Sequence, residues 1–131
     1  MVKKKKEMEE IATTDAPVAI ETSTCEDKLR TNLEEVKCYD GVVGYILRNT
    51  TSASIDVKDP AKIVDYAILS STAFDATEEL SELFEMGGLK DIIVSGKNLR
   101  MLSLIVDGNK ISVFMENNAD IEKVMRKIQT V

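Results

Sequence analysis

The sequence contains no histidine. That removes the commonest general base, the commonest metal ligand, and every Ser-His-Asp or Cys-His arrangement for nucleophilic catalysis. Cysteine is scarce, at two residues, Cys25 and Cys38, and no paired-cysteine spacing of the kind that binds zinc occurs. A helix predicted between the two cysteines holds them roughly 20 Å apart, well beyond the ~7 Å Cα separation that a disulfide tolerates. Both are expected to be idle thiols of a reducing compartment, because neither has a histidine to activate it. No Gly-x-x-x-x-Gly-Lys-Ser/Thr run occurs, so the chain is not itself a P-loop nucleotidase. The longest apolar runs fall far short of a membrane span, and no secretory segment opens the chain. The expectation is a cytoplasmic, non-enzymatic protein with no integral membrane contact, no cofactor and no metal.

Positive charge is also in deficit. Seventeen Lys and Arg stand against 23 Asp and Glu, for a net charge of −6. The one basic cluster, Lys3–Lys6, is followed at once by Glu7, Glu9 and Glu10. Nucleic acid is thereby excluded as an expected partner, since its binding rests on clustered cations that neutralise phosphates. A length of 131 residues suits one domain with a real core. Residues 1–23 read as a flexible charged tail: they show no sustained periodicity, and Pro17 is expected to interrupt any helix. Four lysines could tether a membrane surface or a partner, but Val2 in place of glycine leaves no myristoyl anchor. A solvated tail is the simpler reading. The domain is expected over 24–131.

Leu89 to Asn118 is the stretch around which that domain is organised. It reads as three strands, Leu89–Ser95, Leu99–Asp107 and Lys110–Glu116, separated by Gly96-Lys97-Asn98 and Asp107-Gly108-Asn109. Gly and Asn supply the positive φ angles of tight hairpins. The middle strand is apolar on both alternating faces, so helices are expected above and below it.

Upstream, Ser23-Thr24-Cys25-Glu26 has capping-box spacing, and a helix is predicted from there to Lys37 with Leu29, Leu33 and Val36 on one stripe. Gly41 suits a left-handed stop. Val42–Arg48 and Ser52–Val57 read as a hairpin, the second strand having a dry face (Ala53, Ile55, Val57) and a wet one (Ser52, Ser54, Asp56). Asp59-Pro60 is a strong helix start, and the helical pattern then persists to Gly87-Gly88, some 27 residues on. This long helix carries two apolar stripes. Ile63, Val64, Ala67, Ile68 and Phe74 form one; Leu69, Ala73, Ala76, Leu80, Leu83 and Phe84 form the other. Covering one sheet needs one stripe, so two imply either burial on two sides or a bend near Ser70-Ser71-Thr72. Asp75, Glu78, Glu79, Glu82 and Glu85 make an acidic face, read as solvated, with docking of a basic partner as the lesser alternative. A final helix is capped within Asn117–Asp120 and carries Ile121, Val124, Met125 and Ile128 at i, i+3, i+4, i+7.

The order helix, two strands, long helix, three strands, helix now stands beside three local features. These are Asp40-Gly41-Val42-Val43-Gly44, the Gly87-Gly88-Leu89 junction, and Ile111–Asn118 running into the last helix. On these the chain, from about residue 25 to 131, resembles the roadblock family, also called the dynein light chain roadblock or Ras-like GTPase regulator family. The resemblance implies an α+β fold with a five-stranded antiparallel sheet, the long helix on one face and the two terminal helices on the other. It also implies a homodimer paired through the long helix and the first strand of the meander, placing Leu69, Ala73, Ala76, Leu80, Asp91, Ile92, Ile93 and Val94 at the seam. The implied function is a scaffold that binds a small Ras-like GTPase and modulates its GTP hydrolysis. If an arginine finger is supplied, Arg48 and Arg100 are the candidates; otherwise the platform clamps the switch regions from outside. The alternatives are an adaptor subunit that meets no GTPase and a profilin-like sensory domain, for which no cavity-lining polar cluster is evident. The first hairpin departs from the family habit: its turn, Arg48-Asn49-Thr50-Thr51-Ser52, has no glycine.

Overall fold

The computed structural model describes residues 16–129, so the predicted lysine-rich tail as far as residue 15 lies outside the described residues. Helix α1 spans Ala16–Lys37, β1 Val42–Arg48 and β2 Ala53–Val57. A single 3-10 turn, Pro60–Lys62, leads into α2, Ile63–Leu83. The meander is β3 Asp91–Ser95, β4 Arg100–Val106 and β5 Asn109–Met115, and α3 is Ile121–Gln129. All pairings are antiparallel, in the order β2-β1-β5-β4-β3.

The alternation expected of the meander divides its side chains between two layers. Leu102, Leu104, Ile111, Val113 and Met115 face α1 and α3 and close on Leu29, Leu33, Val36, Val124 and Ile128. Met101 and Phe114, with Ile46 of β1, face α2 and meet Tyr66, Ala67, Leu69 and Ala73. The α1/α3 layer is the larger core; α2 rests on a much smaller one. Its apolar contact centres on Tyr66 stacked on Phe114, with centroids 4.4 Å apart. Three buried hydroxyls complete it: Ser70 Oγ lies 2.6 Å from Ser112 Oγ, which lies 2.7 Å from Ser103 Oγ. These hydroxyls satisfy one another, which removes the cost of burying them.

Several local expectations are corrected. α1 is described from Ala16, seven residues ahead of the predicted capping box, so Ser23 is an interior helical position. Pro17 lies within the described helix and does not interrupt the segment that follows it. α2 is shorter than predicted and runs without a break through Ser70-Ser71-Thr72. It stops at Leu83 through a Schellman motif, with Glu85 N–H bonded to the Glu82 carbonyl and Met86 N–H to the Ser81 carbonyl. The left-handed residue is Glu85 (φ 50°), ahead of the glycines expected to end the helix. A side chain there is strained, so Glu85→Gly is expected to raise unfolding free energy by roughly 0.5–1 kcal/mol in a urea titration. The β3–β4 turn also needs no positive φ; Gly96 N–H simply bonds the Leu99 carbonyl at 2.8 Å, closing a four-residue loop. In the β4–β5 turn Gly108 (φ 80°) takes a left-handed position as expected, but the other falls to Asp107 (φ 49°) and not to Asn109, which already belongs to β5.

The hairpin that lacks glycine is closed by its asparagine. Asn49 Oδ1 accepts from the amides of Thr51 and Ser52, both at 2.9 Å, and no residue of that turn has positive φ. The polar face of β2 turns toward α1 rather than to open solvent. Lys37 Nζ pairs with Asp56 at 2.8 Å, and Arg30 donates to Ser54 at 2.6 Å. Beside them the Tyr45 hydroxyl donates to the Glu34 carboxylate at 2.5 Å. Burial, followed by that bond and the nearby negative charges of Glu34 and Asp56, pushes the Tyr45 phenol well above its ordinary 10.0. The neutral phenol is the form the fold favours. Its contribution is therefore fully present below pH 10 and is lost as pH rises from there toward the folded value. Melting temperature should fall above about pH 10, and Tyr45→Phe should flatten that slope. An unchanged slope in the variant would assign the alkaline transition elsewhere.

Candidate functional site

No helix of the described residues is long and apolar enough to cross a membrane. Nor do any of those residues form a histidine, cysteine or carboxylate cluster suited to a metal. Cys38 is free and exposed at the end of α1, its Sγ near the Glu34 carbonyl at 3.6 Å. The recess lined by Glu78, Ser81, Glu82, Gly88, Leu89 and Ile105 is shallow and open. Chemistry of the surface rests instead on what α2 and β3 leave uncovered.

Helix α2 turns Tyr66, Ala67, Ser70, Phe74 and Ser81 to the sheet. The sheet-facing side takes members of both predicted stripes. Outside lies an i+4 row of Val64, Ile68, Thr72, Ala76, Leu80 and, at the cap, Phe84, every one of them exposed, with Leu83 exposed beside its end. Each step of that row advances about 40° around the axis, so the row turns about 200° from Val64 to Phe84 and its middle, Ile68 to Leu80, spans about 120° of one side. Leu80 is 49% exposed, and Phe84, at 71%, has almost no contact. The row is apolar at both ends and small in the middle, where Thr72 and Ala76 would let another helix approach closely. It is also self-complementary: turned end for end, it sets Leu80 and Phe84 opposite Ile68 and Val64.

β3 is the second part of the surface. It closes the sheet on one side and has no neighbour beyond it among the described residues. Its five residues present free amides and carbonyls at the edge, with Ile93 50% exposed. No bulge, proline or covering helix blunts this edge. Pairing with Ser103 and Met101 places Ile92 and Val94 on the α2 face, so they adjoin the helix that carries the ridge. Asp91 and Ile93 point to the other face.

The residues singled out from sequence thus divide. Ala76, Leu80, Asp91, Ile93 and Val94 are exposed; Ile92 is half-buried. Leu69 and Ala73 are half-buried against the sheet, beside the ridge rather than on it. Sequence reasoning placed Val64, Ile68 and Phe84 in stripes but did not place them at the seam. The i+4 spacing that unites them with Ala76 and Leu80 was the available signal. Arg100 is not free: its Nη2 donates to the Ala119 carbonyl at 2.6 Å and weakly to that of Asn117 at 3.4 Å, tying β4 to the loop before α3. Arg48 places its guanidinium carbon 5.8 Å from the centre of the Phe74 ring.

The sequence matches no protein-family model and no curated protein. Solved structures do match. The chain superposes on the Roadblock/LC7 domain from Streptomyces avermitilis with a TM-score of 0.63, covering 76% of this chain and 87% of that one at 14% identity. The fold is the roadblock fold. MglB of Myxococcus xanthus matches with a TM-score of 0.65 at 14% identity, over 79% of this chain and 81% of that one. The gliding protein MglB of Thermus thermophilus matches at 0.63 and 14% identity, over 81% and 84%. At such identity the likeness is one of fold. It includes the five-stranded antiparallel sheet and the placement of the long helix opposite the terminal two. MglB is also known in a tetrameric arrangement.

Proposed function

We propose that this roadblock-fold chain is a non-enzymatic, homodimeric platform of the cytoplasm that binds a small Ras-like GTPase. The observation that carries this reading is the continuity of two unpaired features, the exposed α2 ridge and the open β3 edge. A twofold axis passing between Thr72 and Ala76 would pack the ridges together and join β3 to its copy, extending the sheet across both subunits. Exposed apolar rows and unblunted edges are a liability in a monomer, and a partner copy removes both at once. The roadblock fold shared with MglB and the sequence resemblance described above support the GTPase as partner. The contacts of Arg100 support modulation by clamping the GTPase from outside, since withdrawing that side chain would unfasten α3's leading loop.

The test is affinity capture on the immobilised full chain from native extract supplemented with a non-hydrolysable GTP analogue. Recovery of a small GTPase that is lost in GDP supports the proposal. Recovery of other subunits with no GTPase in either nucleotide would replace it with the adaptor reading.

A further inference from the structure

The sheet register sets side chains of successive strands in rows beneath α2. One row runs Ile55, Ile46, Ser112, Ser103, Ile92. The next runs Ala53, Arg48, Lys110, Ile105. A row covered by a helix is ordinarily apolar, yet this one sets two cations directly opposite each other on neighbouring strands, an arrangement that is repulsive by itself. Both lie near one ring, that of buried Phe74, with Lys110 Nζ at 5.4 Å from its centre and the Arg48 guanidinium carbon at 5.8 Å. Lys110 is compensated by Glu78 at 3.2 Å. The Arg48 guanidinium has neither a carboxylate nor a hydrogen-bond acceptor among the described residues, and lies over the Phe74 ring. On a chain of net charge −6, a half-buried arginine with no carboxylate partner, set opposite a second cation and offset only by the Phe74 ring, breaks the local rule with partial compensation. Such positions mark places where binding rather than folding set the residue.

We infer that Arg48 and Lys110 form a bracket for a carboxylate carried by an acidic segment of a partner protein. The fork of the guanidinium takes a carboxylate through two parallel hydrogen bonds. Lys110, on the opposite strand, supplies a second positive charge from the side, and the buried Phe74 ring lies beneath both cations and holds them in place. Ile55, in the adjoining row and 40% exposed, adds an apolar ledge beside the bracket. A ledge of that kind is of use to a polypeptide, whose neighbouring side chain can cover it, and of none to a free inorganic anion. The inference does not depend on the partner being a GTPase.

The experiment uses the isotope-labelled full chain titrated with a hexaglutamate peptide and followed by nuclear magnetic resonance. The expected result is saturable shifts confined to Arg48 Nε, the Phe74 ring and the amides flanking Arg48 and Lys110. Arg48→Gln should weaken binding about ten-fold, the loss of one charge-assisted contact. Glu78→Gln should tighten it by freeing Lys110. Should Arg48→Gln perturb the unliganded spectrum, Lys110→Gln provides the same readout. Shifts that are absent, that spread over Lys90, Lys97 and Lys123, or that persist unchanged in the variants overturn the inference. Equal saturation by inorganic phosphate also overturns it, by assigning the bracket to a free anion. No GTPase enters the experiment, so its failure leaves the proposed function standing, and the reverse holds as well.

Discussion

Leu80→Glu is expected to convert the protein from dimer to monomer while leaving its fold intact. Leu80 lies on the exposed α2 ridge at 49% exposure, so glutamate there costs the isolated subunit almost nothing. At a twofold seam each substitution occurs twice. Fully burying a leucine side chain is worth about 1.5–3 kcal/mol; with only about half of Leu80 left for a seam to bury, the pair of substitutions forfeits about 1.5–3 kcal/mol. That weakens association by about one to two orders of magnitude, before the cost of desolvating the new carboxylates. Ile93→Lys acts on the other half of the seam, placing an ammonium on the open edge of β3. Sedimentation equilibrium at micromolar concentration should give twice the chain mass for the wild type and the single chain mass for each variant. A clean monomer for the wild type would sink the dimer. A variant that stays dimeric would move the seam away from the residue it replaces.

The largest effect on stability is expected from Phe114→Ala. Phe114 is wholly buried, sits in the central strand β5, and is the residue on which Tyr66 stacks. Removing it should cost about 3–5 kcal/mol, a large share of the ~5–15 kcal/mol that a domain possesses. The site of the loss is as informative as its size. Among the described residues the α2 side of the sheet has a small buried apolar cluster, Ile46, Met101 and Phe114, with Val57 buried near the sheet edge, whereas the α1/α3 side holds a large continuous core. Hydrogen exchange in the variant should therefore accelerate first in α2, with α1 and α3 amides still protected. Uniform acceleration would show that both layers open as one unit. The thinness of this layer bears on the proposed function, because the helix proposed to meet a partner copy is also the one resting on the smaller core.

Elements whose signal is local are legible in the sequence. The i, i+3, i+4, i+7 stripe of α3 buries Val124 and Ile128, and Asp120 caps the helix by accepting from Lys123 N–H at 3.2 Å. Asp59 caps the turn that opens α2, accepting from Ala61 N–H at 3.1 Å. Asp107-Gly108 makes the hairpin it spells. Where a local signal can be met in two ways, the sequence misleads. Ser23 and Glu26 have capping-box spacing, yet both lie inside α1, which is already helical at Ala16. Gly87-Gly88 has the form of a helix stop, yet Glu85 accepts the left-handed turn earlier. Arg100 has the position of a candidate finger, but the two carbonyls it holds belong to Asn117 and Ala119, remote in sequence.

By itself the sequence determined the element types, their order, and the two-sided burial of the meander, because each of these depends on periodicity along the chain. Tertiary structure alone decided which parts of α2 are left outside. A helix carrying two apolar stripes can rest on either; the rotation chosen here is fixed by Phe74, Tyr66 and the Ser70–Ser112 contact, all of which depend on register with the sheet. That rotation turns two stripes into one buried face and one exposed ridge. The same register brings Arg48 opposite Lys110, a meeting that no spacing along the chain encodes, because strand pairing and not sequence distance sets which side chains share a row.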